Sequence, residues 1–246
     1  MNLRRVLAGY SEPDAIKKFE ENINRLKMLL ADEESKRIVD AILEKRRSES
    51  LDYSDLRIGN QYFISDIIPI RDDAVYVDGG TYNGNSVKQF IDYQNGRFDK
   101  IYAFEMDKKN FDMIDRNTFD ERVEFMNYGL WSGSGEISYL SSGFGSSMSE
   151  MGNNTAKVIS LDEAIQDSKV TLIKLDVEGA EIEALKGSEQ IIKKWHPDCA
   201  ICVYHKPGDI WEIPFMLHSL VEDYSFYIRH HGNTTNETVL YATIKS

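Results

Sequence analysis

The chain is short of cysteine, of basic residues and of long apolar runs, and each shortage excludes a class of protein. Its two cysteines, Cys199 and Cys202, would point to opposite faces of a strand, and no second pair exists to complete a zinc site, so we expect buried thiols. The 29 Lys and Arg residues are outnumbered by 41 Asp and Glu, which gives a net charge of -12. Such a chain lacks the clustered cations that track phosphates, so we expect no nucleic-acid partner.

No run of the sequence approaches the roughly 18 apolar residues that a membrane span requires. The first residues, Met1 to Arg5, are not followed by the apolar stretch of a secretory signal. We therefore expect no membrane span and a cytoplasmic location. At 246 residues, the chain has the length of one large domain or of one domain with an appendage.

A glycine-rich turn between two acidic strand ends is the most informative feature that the sequence does contain. The segment Val75–Ser86 holds an apolar strand ending in Asp78 and then the turn Gly-Gly-Thr-Tyr-Asn-Gly, and a second apolar strand ends in Glu105. This order is typical of the nucleotide-binding half of a doubly wound α/β domain, in which glycines let the backbone approach a ligand and the second acid binds ribose hydroxyls.

Asp78 narrows the choice of ligand. A carboxylate at this strand end would repel the pyrophosphate of a dinucleotide, whereas S-adenosylmethionine carries no phosphate and offers an ammonium group. We interpret the segment as an S-adenosylmethionine loop, with a ligand-free glycine turn as the alternative.

Strand patterns alternate with helix patterns from residue 74 onward, and the last two strands are joined only by the polar link Asn233–Asn236. This order predicts a Rossmann-like α/β fold with a mostly parallel seven-stranded sheet and an antiparallel C-terminal hairpin. The predicted strands are Ala74–Val77, Lys100–Phe104, Val123–Asn127, Thr171–Asp176, Cys199–Tyr204, Ser225–His230 and Thr238–Ile244. The predicted helices are Ser86–Tyr93, Lys108–Thr118, Leu161–Gln166, Glu181–Lys194 and Ile210–Glu222.

The first 70 residues have a different pattern, so we treat 1–70 and 71–246 as separate parts. Apolar residues at helical spacing from Pro13, and again over Ile38–Leu43, predict two helices. We expect an N-terminal helical appendage that packs on the main domain; the alternatives are that it covers the ligand or mediates dimerisation. Nothing in it resembles catalytic chemistry.

A second block, Leu172–Gly187, reads Leu-Ile-Lys-Leu-Asp-Val-Glu-Gly-Ala-Glu-Ile-Glu-Ala-Leu-Lys-Gly. Together with Val75–Ser86, Ala103–Glu105 and Val239–Thr243, it resembles the FkbM family of S-adenosylmethionine-dependent O-methyltransferases, in matching order over roughly residues 74–244. The resemblance implies a class I methyltransferase fold over 71–246, S-adenosylmethionine as cofactor, and a hydroxyl of a sugar, glycan or natural product as methyl acceptor. Residues 1–70 have no counterpart in it.

The resemblance also implies a set of cofactor-binding residues at the carboxyl ends of the strands. Asp78 and the glycines of its turn would face the methionine half, Glu105 would accept from both ribose hydroxyls, and Trp131 would flank the adenine. Burial in the core is the alternative for Trp131. The full set is Asp78, Gly79, Gly80, Thr81, Asn83, Gly84, Ser86, Glu105, Met106, Asn127, Leu130, Trp131 and Asp176.

Methyl transfer is an in-line displacement, for which the protein mainly aligns the acceptor oxygen behind the methyl carbon. A sugar hydroxyl benefits from losing its proton as it attacks, and His205 is the first candidate for the base, followed by Asp176. The alternative for His205 is a bond to the backbone at a strand end. Asp176, Glu178 and His205 would also suit a divalent metal, but we favour an ion pair of Glu178 with Lys174 and expect no metal.

Two other functions stay open on the sequence. An NAD-dependent Rossmann oxidoreductase would share the glycine turn, although Asp78 and the terminal hairpin disfavour it. A non-catalytic cofactor-binding scaffold would keep the pocket without turnover. The oligomeric state is also open, and a homodimer is one of the options.

Overall fold

The computed structural model describes residues 12–141, 146–148 and 154–244. These form two compact units, one running Tyr62–Ile201 and the other combining the described residues up to Gln61 with those from Cys202 onward. The division expected at residue 70 is not tested by this grouping and stays a prediction. Within the described ranges, no helix has the length and apolar character needed to cross a membrane.

The secondary structure is mixed α/β, with the elements in the predicted order. The strands are β1 (Val75–Gly79), β2 (Lys100–Phe104), β3 (Val123–Met126), β4 (Gly129–Leu130), β5 (Gly135–Ser141), β6 (Ser146–Met148), β7 (Asn154–Ile159), β8 (Leu172–Leu175), β9 (Asp198–Cys202), β10 (Tyr224–His230) and β11 (Thr238–Ile244). The helices are α1 (Glu12–Leu29), α2 (Glu33–Arg47), α3 (Asn85–Tyr93), α4 (Lys108–Met113), α5 (Leu161–Ala164), α6 (Glu181–Lys186), α7 (Glu189–Trp195) and α8 (Asp209–Leu220). Short 3-10 turns lie at Ser54–Leu56 and Arg116–Thr118.

The main sheet has seven strands in the order β10-β11-β9-β8-β1-β2-β3. Strand β1 pairs in parallel with β2 and β8, and the same parallel pairing joins β2 to β3 and β8 to β9. Strands β10 and β11 form an antiparallel hairpin. The predicted Rossmann-like fold, mostly parallel with a C-terminal hairpin, is therefore confirmed, and the predicted strand ends lie within two residues of the observed ones.

Strand β1 is buried along its whole length, as expected for a parallel strand that is covered on both faces. Tyr76 of β1 stacks on Phe90 of α3 with ring centroids 4.3 Å apart, and Phe63 packs edge-on against Tyr76 at 5.8 Å. This aromatic cluster fixes α3 against the sheet, and the start of α3 thereby fixes the glycine-rich turn that precedes it.

A second, four-stranded sheet in the order β4-β7-β5-β6 has no counterpart in the sequence prediction. Strands β5 and β7 pair antiparallel from Gly135 opposite Val158 to Tyr139 opposite Asn154. Their outward residues are exposed, and glycine, serine and asparagine interrupt them. The period-two apolar pattern is consequently too weak to indicate strands.

Two predicted helices are interrupted in the structure. The predicted helix Glu181–Lys194 is split into α6 and α7 at Gly187, where a Cβ would lie 1.9 Å from the carbonyl oxygen of Trp131. The predicted helix Lys108–Thr118 ends as α4, because the Asp115 side chain accepts a hydrogen bond from the backbone N–H of Asn117 and so favours a separate turn.

The N-terminal segment covers β10, the edge strand of the main sheet. The N–H of Ala31 donates to the carbonyl of Phe226 at 2.8 Å, and the N–H of Ile58 donates to that of His230 at 2.8 Å. The N–H of Ile228 donates to the hydroxyl of Ser35 at 2.9 Å. An uncovered edge strand presents unpaired backbone groups, so these bonds protect the sheet from pairing with another chain.

Replacing Ser35 with alanine is expected to lower the free energy of unfolding by about 1–3 kcal/mol, because the buried N–H of Ile228 loses its acceptor. Urea unfolding measures the change. The matched control is Ser48→Ala, which removes an exposed hydroxyl at the other end of α2 and should stay within about 0.5 kcal/mol of the native protein. Equal effects of the two variants would contradict the edge-protecting role of Ser35.

Candidate functional site

The Tyr62–Ile201 unit contains a cavity of about 230 Å³ at the carboxyl ends of its parallel strands. Gly80, which follows β1, Glu105, which follows β2, and Asp176, which follows β8, all line it. Ligands of open α/β sheets bind at this edge. The charged residues among its described lining are Glu105, Asp176 and Glu178, so the cavity is acidic and suits a cationic ligand better than a phosphate.

The structure brings together six of the predicted cofactor-binding residues at this cavity. They are Gly80, Glu105, Met106, Leu130, Trp131 and Asp176. The other seven, Asp78, Gly79, Thr81, Asn83, Gly84, Ser86 and Asn127, are not among the lining residues. Sequence reasoning did not select Asn110, Tyr128 or Val158, which do line it and carry no motif that would have indicated them.

Glu105 is the best-defined polar group of the cavity. Its carboxylate accepts a hydrogen bond from the backbone N–H of Tyr82 at 2.9 Å and another from that of Asp107 at 2.8 Å, and the side chain is only 6% exposed. Burial raises the pKa of the Glu105 carboxyl to about 7, against the lowering effect of these hydrogen bonds. A carboxylate keeps further lone pairs after two such bonds, so Glu105 can still accept from a ligand in the cavity.

Asp78 is fully buried and held inside the protein. Its Oδ1 lies 2.9 Å from Nζ of Lys174, and its Oδ2 accepts from the Ser86 hydroxyl. Lys174 also donates to the carbonyls of Gly79 at 3.2 Å and Gly80 at 2.8 Å. The lysine thus neutralises Asp78 and fastens the glycine turn, while a contact of Asp78 with a ligand stays a prediction.

The structure shows an ion pair of Lys174 with Asp78, which the sequence interpretation did not include. The favoured pair of Glu178 with Lys174 stays a prediction. That interpretation assumed an extended strand through Asp176 and Glu178. Strand β8 ends at Leu175, and Glu178 has a left-handed backbone with φ of 55°. The strand alternation that would place both acids on one face does not continue there.

The glycine turn touches the segment after β8. Gly80 has a φ of 77°, and a Cβ on it would lie 1.9 Å from the backbone oxygen of Asp176. The backbone N–H of Asp176 in turn donates to the carbonyl of Gly79 at 3.0 Å. Only glycine satisfies both the left-handed backbone and this close approach.

Apolar side chains line one side of the cavity, and a polar side chain outside the lining holds the turn next to it. Trp131 is half-buried and lines the wall beside Leu130, so the alternative that placed Trp131 in the core is wrong. Asn127 is not among the lining residues. Its side-chain amide donates to the carbonyl of Glu105 at 2.8 Å and to that of Met106 at 3.3 Å. Asn127 consequently holds the turn that carries Glu105.

The two predicted bases lie in different compact units. Asp176 is half-buried, lines the cavity and accepts a hydrogen bond from the hydroxyl of Tyr62 at 2.7 Å. His205 follows β9 and packs against Tyr204 with ring centroids 4.1 Å apart. The role of His205 as a base stays a prediction. Tyr62, which belongs to residues 1–70, thus contacts a residue that lines the cavity.

A mostly parallel sheet that ends in an antiparallel hairpin and has a cavity at its carboxyl edge defines the class I, Rossmann-like methyltransferase fold. Residues 78–234 match the sequence profile described as the Methyltransferase FkbM domain. Since this match covers well over half of the chain, the protein belongs to the FkbM methyltransferase family.

Two relatives illustrate the similarity. The chain is 36% identical over 96 residues to the hexuronic acid methyltransferase AglP of Haloferax volcanii, a match that covers 35% of this chain and 40% of AglP. The crystal structure of methyltransferase FkbM from Methylobacillus flagellatus KT superposes with a TM-score of 0.80 at 24% identity, covering 94% of this chain and 60% of that one. The chain thus spans less than two thirds of the length of each, and the second similarity shows the fold.

Proposed function

We propose that the protein is an S-adenosylmethionine-dependent O-methyltransferase that acts on a hydroxyl group of a sugar or glycan. The observation that carries the proposal is the acidic cavity with Glu105 at the end of β2. Ribose hydroxyls donate to such a carboxylate, and the ammonium and sulfonium charges of S-adenosylmethionine suit an acid-lined cavity. The pyrophosphate of NAD does not, which counts against the oxidoreductase alternative together with the family membership.

The residues present fit this cofactor. Glu105 would hold the ribose, Leu130 and Trp131 would flank the adenine, and the Gly80 turn would admit the methionine half. When bound, S-adenosylmethionine supplies the activated methyl group. The chain's part is to orient the acceptor oxygen in line with that group and to take up its proton, for which His205 and Asp176 are the candidates. We include no metal in the proposal.

The acceptor class is supported by a relative rather than by the cavity. AglP is named as a hexuronic acid methyltransferase, and a hydroxyl of a sugar acid is therefore the first acceptor to test. A hydroxyl of a natural product is the second. We further propose a cytoplasmic location, and leave the oligomeric state open between monomer and homodimer.

Calorimetric titration with S-adenosylmethionine, S-adenosylhomocysteine and NAD tests the cofactor. We expect micromolar binding of the first two and none of NAD. A preference for NAD, or no binding of either sulfur ligand, would overturn the proposal.

Transfer itself is tested by incubating the protein with labelled S-adenosylmethionine and a panel of hexuronic acids and neutral hexoses. We expect S-adenosylhomocysteine to form together with an alkali-stable methyl ether, since a methyl ester on the acid would hydrolyse. Tight cofactor binding without transfer to any member of a broad hydroxyl panel would instead favour the non-catalytic scaffold.

A further inference from the structure

Tyr62 connects the segment before β1 to the cavity. Its ring is 6% exposed, and its hydroxyl donates to Oδ2 of Asp176 at 2.7 Å. Asp176 is only half-buried and lines the cavity. A buried hydroxyl thus fixes one oxygen of a carboxylate that a ligand can reach.

Tyr62 is held in a strained backbone conformation. Its φ is 70°, in the left-handed region that a bulky side chain rarely adopts. The ring lies 5.1 Å from Nζ of Lys174 and 6.2 Å from the ring of Phe63, so its surroundings keep it there. Strain of this kind persists where the structure over-determines a residue, and such residues cluster at functional sites.

The backbone of Asp176 is held in place by contacts that do not involve Tyr62. Its N–H is bonded to Gly79, and its carbonyl packs against Gly80. What the tyrosine hydroxyl adds is therefore the orientation of the side chain. Loss of that hydroxyl is expected to change ligand binding more than folding.

Asp176 lies where the methionine half of the cofactor is expected. Gly80, predicted to face that half, is in contact with the Asp176 backbone. Asp78, the acid first predicted to hold the ammonium, is buried and paired with Lys174. Asp176 also lines the cavity, and its backbone is in contact with Gly80.

We propose that Tyr62 is a positioning residue that orients the Asp176 carboxylate to accept hydrogen bonds from the ammonium group of the cofactor. The proposal rests on the function proposed above. It assigns part of the cofactor site to a residue of the N-terminal 70, outside the region that matches the family profile.

The test compares two ligands, S-adenosylhomocysteine and 5′-methylthioadenosine. Both carry adenosine and a thioether, but the second has no ammonium. Calorimetry on Tyr62→Phe should show about tenfold weaker binding of S-adenosylhomocysteine, the loss of roughly one hydrogen bond to a charged group, with 5′-methylthioadenosine unchanged within twofold. Asp176→Asn should weaken the first ligand at least as much, and the double variant should bind no more weakly than Asp176→Asn alone.

Tyr93→Phe is the matched control. Tyr93 belongs to the same aromatic cluster, stacked on Phe63 at 5.6 Å, but its hydroxyl donates to the backbone carbonyl of Ile68. We expect this variant to bind both ligands as the native protein does. Equal weakening of both ligands in Tyr62→Phe would show a merely structural role and overturn the proposal, as would unchanged S-adenosylhomocysteine binding. Failure of the native protein to bind either ligand would instead refute the proposed function.

Discussion

Gly80→Ala is expected to destabilise the Tyr62–Ile201 unit by more than about 4 kcal/mol, or to prevent its folding, and to abolish cofactor binding. The added Cβ would lie 1.9 Å from the backbone oxygen of Asp176 and 2.9 Å from its carbonyl carbon. Backbone atoms cannot rotate away as a flexible side chain can. The turn and the segment after β8 would have to separate, and both line the cavity.

Gly96→Ala provides the matched control for the backbone conformation. Gly96 lies in the same unit and has a φ of 73°, close to the 77° of Gly80, but a Cβ on it would meet nothing within 4 Å. Its replacement should cost only the left-handed penalty of about 1–2 kcal/mol. Denaturant unfolding measures the loss of stability in both variants. The difference between the two losses is the cost of the contact with Asp176, because the backbone conformation is nearly the same at both glycines. If both lose the same stability, the close approach of Gly80 to Asp176 is not a constraint.

The strands of the main sheet were predictable because each is marked by a pattern of residues within its own short segment. The parallel strands β1, β2 and β8 are short apolar runs bounded by acids and glycines, and the polar link before β11 indicates a hairpin. The small sheet formed by β4 to β7 was not predictable, since β5 and β7 carry many exposed residues among their described positions and every strand of the sheet pairs with another segment of the chain. The split between α6 and α7 depends on the approach of Gly187 to Trp131, which no local pattern records.

The site was predictable only in part, because some of its contacts join residues that are far apart in the sequence. Glu105 and Gly80 belong to a motif in which spacing and chemistry agree, and both line the cavity. The bond between Tyr62 and Asp176 joins residues 114 positions apart, and the sequence around Tyr62 carries no catalytic pattern. The ion pair of Lys174 with Asp78 was not predicted either, because it depends on the parallel pairing of β1 with β8, which sets Asp78 beside Lys174.

Glu105→Gln is expected to weaken the binding of both S-adenosylhomocysteine and 5′-methylthioadenosine by at least about 100-fold, because two ribose hydroxyls lose a charged acceptor. The change also disturbs the site itself. Both carboxylate oxygens of Glu105 accept from backbone N–H groups, so the amide nitrogen of glutamine would face one of these donors. The loss with both ligands distinguishes Glu105 from Tyr62 and Asp176, whose variants are expected to affect only the ligand that carries an ammonium.

Glu124→Gln is the control for this substitution. Glu124 lies on the neighbouring strand β3, is exposed, and pairs with Lys100 at 3.0 Å. Its variant should bind both ligands with native affinity. Native affinity in Glu105→Gln as well would refute the ribose role of Glu105.

The pH dependence of binding follows from the same carboxyl. Its pKa is raised to about 7, and the ionised form is the better acceptor for ribose hydroxyls. Affinity for 5′-methylthioadenosine, which has no group of its own that titrates near neutrality, should therefore be about tenfold weaker at pH 6 than at pH 8. This difference in affinity between pH 6 and pH 8 should be absent in Glu105→Gln. A flat profile in the native protein would contradict the assignment.

The stability of the ligand-free protein should change with pH in the opposite direction. Since the pKa of Glu105 is raised from 4.5 to about 7, the folded state binds more protons than the unfolded state between these values. The contribution of Glu105 to the unfolding free energy is therefore fully present below pH 4.5 and falls, by on the order of 3 kcal/mol, as pH rises through 7. Urea unfolding at pH 5 and pH 8 should show Glu105→Gln gaining stability relative to the native protein at the higher pH. Above pH 7, Glu105 is ionised and ready to bind the ribose, but the burial of its charge then lowers the stability of the ligand-free protein most. Hydrogen bonds from a bound ribose would offset this loss of stability.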